Sequence, residues 1–293
     1  MADAPIAELH ALAPGEEVVL DPPVAGPLDG LARRYAAPAV SAECVPGVLV
    51  AAGAILDAGD DPDGDDEPAV LDGPHLVLGS GRDPDLFLLD AVGAVWLVDA
   101  HTPWAGCPLL GADYGAGPER ECLRLLGLEG RVRHATGPAR VDAVVCGGPA
   151  PEGPLTPSPL VAGLAGWLRT RLAAPAGGGG RIALAGEGDA VGDALAAELG
   201  FERLDPATAS VARQAAAFAA ADVVVAPRDA GLTAVLLARP GALALELLDA
   251  AGLQDTATRR LASLLGVRYG RVPDPAPETV VAAVAAQVAE ASR

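Results

Sequence analysis

Residues 223–241 read VVVAPRDAGLTAVLLARPG, an apolar strand, a turn containing glycine, and an apolar helix. In an open α/β sheet that layout offers backbone N–H groups to an anion. Gly231 lets the chain approach closely, and the N–H groups of Leu232, Thr233 and Ala234 have no acceptor inside their own helix, so they would face a phosphate. Arg228 brings a fork of donors that suits a diphosphate, whereas Asp229 beside it repels the same anion. One strand later Glu246 ends GALALEL, where a carboxylate can accept hydrogen bonds from ribose hydroxyls. The same residues also fit an ordinary βαβ unit, with Gly231 serving packing and Glu246 a surface cap. On spacing alone both readings stay open.

Other clusters carry less. The run DAGDDPDGDDE (57–67) holds seven acids in eleven residues, including Asp61/Asp63 and Asp63/Asp65. An Asp-x-Asp pair can hold a metal–nucleotide complex, but in so acidic a run the spacing arises by chance. A calcium loop fails too, since Gly59 and Val70 fall where carboxylates belong. A solvated loop is the expectation, and no metal site. Cys44, Cys107, Cys122 and Cys146 form no Cys-x-x-Cys pair and read as free, buried thiols. His10, His75, His101 and His134 read as surface or structural residues.

The elements that must position these groups follow from periodicity. The first 80 residues are rich in Pro and Gly, with short apolar runs (EEVVL, GVLVAAGAIL, PHLVLG) that predict strands and hairpins. From residue 83 strands and helices alternate, which predicts a parallel α/β sheet. DPDLFLLDAVGAVWLVDA is a helix interrupted at Gly93. A helix over 156–172, capped by Thr156 or Ser158, leads into the linker AAPAGGGG. Five βα units then follow, opening with RIALAG and closing with PETVVAAVAAQVAEAS. The expected domains are 1–155, an N-terminal α/β half with extra short strands and hairpins; 156–180, a connecting helix and Gly-rich linker; and 181–293, a Rossmann-like half. The cleft between the two halves is the default place for a ligand.

Composition narrows the partners. Twenty Arg and no Lys stand against 39 acids, a net charge of −19. Residues 1–150 carry 24 of the acids and 8 Arg, and residues 151–293 carry 15 and 12. Such a chain lacks the basic footprint of a nucleic-acid binder and is repelled by anionic membranes. No stretch of ~18 apolar residues is free of charge and Pro, so no membrane span is expected. MADAPIAELHALAPGEE is not a secretory signal, and the expected location is cytoplasmic. Oligomeric state has no signature here.

The segment GFERLDPATASVARQAAAFAAADVVVAPRDAGLTAVLLARPGALALELLD (200–249) resembles the family-61 glycosyltransferases. That family reads Gly-Phe, a Glu-Gln pair opening a helix, a strand, His-Gly-Ala-Gly-Leu-Thr-Asn, Pro-Gly, and a strand ending Glu-Leu. This chain keeps Gly200-Phe201, Gln214, Ala230-Gly231-Leu232-Thr233, Pro240-Gly241 and Glu246-Leu247 at those intervals. LASLLGVRYGRV is similar to the family's ending, and LAPGEEVVLDPP and ECLRLLGL are weaker likenesses in the N-terminal half.

The resemblance implies two Rossmann-like domains in a GT-B-like arrangement. It also implies a nucleotide-sugar donor on the C-terminal domain, a glycan acceptor and a place in polysaccharide biosynthesis, with no metal. The donor residues carried over are Arg228, Gly231, Leu232, Thr233, Glu246 and Gln214. The departures fall on chemistry: Arg228 stands for the motif's His, Asp229 for its first Gly and Ala234 for its Asn. AGEGDAVGD replaces an Arg-rich segment, and Asp83-Pro84-Asp85-Leu86-Phe87 replaces a motif bearing a second His. Sugar transfer with inversion needs a general base and a counter-charge for the leaving diphosphate. Asp90, Asp85 and Arg228 are the remaining catalytic candidates. Three functions stay open: a glycosyltransferase, an inactive relative that binds or scaffolds, and an unrelated small-molecule-binding α/β protein.

Overall fold

The computed structural model describes residues 8–20, 34–37, 39–51, 54–55, 68–78, 84–111, 114–134, 138–147, 157–172, 179–186, 188–228, 230–248, 256–273 and 276–291. The acidic run 57–67, the linker residues 173–178, Glu187 and Asp229 lie outside them. The strands are β1 (Glu8–Ala13), β2 (Glu16–Val19), β3 (Arg34–Ala37), β4 (Val40–Ala51), β5 (Ala54–Ile55), β6 (Ala69–Val77), β7 (Leu109–Gly111), β8 (Val132–His134), β9 (Ala139–Gly147), β10 (Gly180–Leu184), β11 (Glu202–Leu204), β12 (Ala221–Pro227), β13 (Leu243–Leu248) and β14 (Arg268–Pro273). The helices are α1 (Pro84–Leu89), α2 (Ala91–His101), α3 (Pro118–Leu125), α4 (Val161–Leu172), α5 (Ala190–Leu199), α6 (Val211–Ala220), α7 (Leu232–Leu237), α8 (Ala257–Leu265) and α9 (Pro277–Ala291). They fall into two compact units, Met1–Glu16 with Pro38–Pro154, and Glu17–Ala37 with Leu155–Arg293.

The first unit is built on a sheet of order β1-β4-β9-β6-β7-β8, with β5 paired to β4. Its β1, β4, β5 side is antiparallel, and β4 also runs antiparallel to β9. From β9 through β6 and β7 to β8 the pairing is parallel. Of the short N-terminal runs, GVLVAAGAIL and PHLVLG thus contribute to strands β4, β5 and β6 of this sheet, which has a parallel flank of βα type, while EEVVL forms β2 outside it. Residues 91–98 of α2 are all buried, which a helix apolar around its whole circumference requires. The chain breaks between α1 and α2 at Asp90 and not at the expected Gly93. Asp90 is exposed between buried neighbours on both sides, so turning there keeps its charge in water while both apolar segments go inward. Arg131 ties the end of α2 to the start of β7: it holds Asp99 through both Nη atoms (2.5 and 3.0 Å) and donates twice to the Cys107 carbonyl. Cys107 and Cys122 are buried free thiols, as their spacing implied.

The second unit contains a sheet of order β11-β10-β12-β13-β14, parallel throughout, and the small β2-β3 ribbon. Both faces are covered. Val223, Val225, Leu243 and Leu245 pack with Leu195 of α5 and with Val280 and Val284 of α9. On the other side α4 packs against α6, α7 and α8. Strands buried on two faces read as continuous apolar runs, which is why DVVVAP and GALALELL show no alternation. α4 starts at Val161 instead of 156, because Ser158 precedes Pro159 and a residue before proline is held out of the helical region. Ser158 still serves the helix start, its Oγ accepting from the Leu160 N–H (3.3 Å). No helix among the described residues is long and apolar enough to cross a membrane.

Candidate functional site

In the second unit strand order reverses at β10, which has β11 on one side and β12 on the other. Ligands of open α/β sheets bind outside the carboxyl ends of the strands at such a reversal. Two turns meet that edge, one after β10 and one after β12.

The turn after β10 runs into α5, and Gly192 sets its geometry. A Cβ at Gly192 would lie 2.3 Å from the Ala185 Cβ, so only glycine lets α5 sit this close to the end of the strand. Asp189 caps α5, its Oδ1 accepting from the N–H groups of Val191 (2.9 Å) and Gly192 (3.2 Å). The donors a phosphate would use at this helix start are thus already taken by a carboxylate. Asp193 adds a second acid in the first turn, paired with Arg203, whose guanidinium also donates to the Gly186 carbonyl (2.6 Å). Asp189→Ala is expected to lower stability by about 1 kcal/mol, the usual worth of a cap, read as a shift in urea midpoint at constant m.

The turn after β12 holds most of the residues singled out in the sequence. Arg228 is exposed. The Ala230 N–H returns to the Pro227 carbonyl (3.2 Å). Gly231 is buried, and a Cβ there would stand 3.3 Å from the Ala226 Cβ. α7 then spans only Leu232–Leu237, with Thr233 and Ala234 buried. Gln214, in the first turns of α6, donates its amide to the carbonyls of Pro206 and Ala209, both at 3.0 Å, and so holds the turn that precedes its own helix.

Glu246 lies beside Ala226 in register, one strand over. It is not at the surface: it is 1 % exposed. Its Oε2 accepts from Tyr269 Oη (2.6 Å) and Thr256 Oγ1 (2.7 Å). Arg271, wholly buried, is its partner in register on β14. Burial, and then the Glu246 carboxylate, push the Tyr269 hydroxyl well above its ordinary range. Thr256, Thr258, Arg259, Tyr269 and Arg271 all escaped the sequence reading, although the polar run QDTATRR (254–260) opening an apolar helix after a strand could have marked the cap.

The second unit therefore brings Arg228, Gly231, Thr233 and Glu246 to neighbouring strand ends, with Gln214 on the α6 side. Asp85 and Asp90 belong to the first unit: Asp85 lies in α1 and Asp90 is exposed at its end. Of the histidines, His75 is buried with Nδ1 3.0 Å from the Gly73 carbonyl, and His101 packs edge-on against Trp96.

Fold and turn geometry describe a Rossmann-like α/β unit with a polar network under one strand end. Residues 186–245, from the turn after β10 through the first half of β13, match the family model described as Glycosyltransferase 61. The chain thus resembles that family over the part that carries Gln214 and the β12–α7 turn, a match that ends one residue before Glu246, and is glycosyltransferase-like. No curated protein matches it.

Proposed function

We propose that the protein binds a nucleotide-activated sugar at the carboxyl edge of the β10–β14 sheet and transfers the sugar to a glycan acceptor. The observation that carries this is the family match over 186–245, which contains the β12–α7 turn at that edge. Arg228 meets the diphosphate, the backbone at Gly231 and Thr233 lets it come close, and Glu246 supports the site from beneath. The GT-B layout would assign the acceptor to the N-terminal unit, with Asp90 or Asp85 as base, and no bound metal enters the chemistry.

A second reading has its own support. The α5 start is closed by Asp189, and the family's histidines are absent from the matched positions. A chain that binds donor without turning it over accounts for both. Isothermal titration with UDP, GDP and their sugars tests binding. A ligand at 100 times its Kd raises apparent stability by about 2.7 kcal/mol, so no thermal shift at millimolar nucleotide removes the donor site altogether. Hydrolysis or transfer of a sugar nucleotide by the purified chain removes the second reading. Arg228→Ala is expected to weaken nucleoside diphosphate binding by roughly 10-fold or more, the worth of a charge-assisted hydrogen bond. Because Arg228 is exposed, its removal shifts stability by no more than about 0.5 kcal/mol.

A further inference from the structure

The start of α8 is fastened unusually firmly. Thr256 accepts the Arg259 N–H (3.3 Å) and donates to Glu246 Oε2, which also takes the Tyr269 hydroxyl. One buried carboxylate thus ties a helix start to two strands. Two residues into this helix, Thr258 is 2 % exposed and its Oγ1 has no hydrogen-bond partner. The side chain lies against the β12–α7 turn: a Cβ on Gly231 would stand 3.6 Å from Thr258 Cγ2 and 3.9 Å from Oγ1. Arg259 follows, also buried.

A buried hydroxyl left unsatisfied destabilises a fold, and valine would fill the same space without that cost. The first N–H groups of the nine-residue α8 likewise have no acceptor within the helix. We infer that the first turn of α8 is an anion-binding element facing Gly231. In it Thr258 Oγ1 and the Ala257 and Thr258 N–H groups donate to phosphate oxygens, and Arg259 adds positive field. This deepens the donor-site reading and rests on it: the diphosphate is held from the α8 side as well as by the β12–α7 turn. Because the hydroxyl is closed off from solvent, binding parts α8 slightly from the turn, at some cost in affinity.

The test compares wild type, Thr258→Val and Thr258→Ser for binding of inorganic pyrophosphate, UDP and GDP, with the melting temperature of each unliganded chain. Thr258→Val is expected to bind about 10-fold more weakly or worse, while its unliganded Tm rises by roughly 2–4 °C. Thr258→Ser keeps wild-type affinity. A gain in stability with a loss of binding is what a purely structural hydroxyl cannot produce. If Thr258→Val binds as wild type does while Arg228→Ala is weakened, this element is wrong and the donor site stands. If Thr258→Val loses stability and affinity together, the hydroxyl is structural and the inference fails. If wild type binds none of the three probes, both this inference and the donor site fall.

Discussion

Glu246→Ala is expected to destabilise the protein by about 3–5 kcal/mol, the cost of removing one partner from a buried charged network. The carboxylate satisfies Tyr269 and Thr256 at once and stands in register with the wholly buried Arg271. Its loss takes the carboxylate acceptor from two buried hydroxyls, which are then left with each other at 3.4 Å, and removes the acid that stands in register with the buried Arg271. The damage then spreads to α8, because Thr256 is that helix's cap. Urea unfolding at pH 7 measures the effect; a change below about 1 kcal/mol would mean that the network contributes little.

The same network predicts an alkaline limb. Tyr269 has its hydroxyl pushed up in the folded chain, whereas in the unfolded chain it ionises near the ordinary value of about 10. The folded state thus holds a proton that the unfolded state releases. The associated stability is complete below pH ~10 and falls above it by up to about 1.4 kcal/mol per pH unit. Tyr114 and Cys122, pushed up to about 12 by burial, pull in the same direction, as does Cys107. The Tyr269 share is therefore read as a difference. Tyr269→Phe starts less stable at pH 7, having lost a hydrogen bond to a carboxylate, but declines less steeply above pH 10.

These residues mark how far the sequence could be read. The strands and helices of residues 180–291 are legible because each apolar run is bounded by its own signal: Ser210 before α6, Gly200 after α5, Pro240-Gly241 before β13. Asp90 was harder to weigh. Gly93 is the stronger helix breaker by propensity, yet burial on every side of α2 favours a small residue inside it and a charged one at the break. Glu246 was legible as an acid at a strand end. What faces it was not, because Tyr269 and Arg271 arrive from a strand more than twenty residues later, and a lone sequence does not pair strands. Gly192 looked like one small residue within an Ala-rich helix, and its role depends on Ala185 lying directly beneath it.

Gly192→Ala turns that contact into a measurable clash. In most helices the change stabilises by up to about 1 kcal/mol. Here the new methyl would start 2.3 Å from the Ala185 Cβ, an atom fixed to the backbone at the end of β10, with Arg203 Nε 3.7 Å away on another side. Neither carbon has a rotamer to escape through, so α5 must lift off the strand. That separation disturbs Leu195, whose buried side chain packs with Ala183, Phe201 and Val284. Overpacking of this kind costs about 1–3 kcal/mol, and with rigid atoms on both sides the upper end is expected even after the propensity gain. The double substitution Ala185→Gly, Gly192→Ala moves the methyl from strand to helix and restores room. Its stability should exceed the sum of the two single effects by at least about 1 kcal/mol, a coupling that a thermodynamic cycle isolates. Strict additivity would show that α5 does not depend on this contact, and that the turn after β10 keeps its shape without glycine at 192.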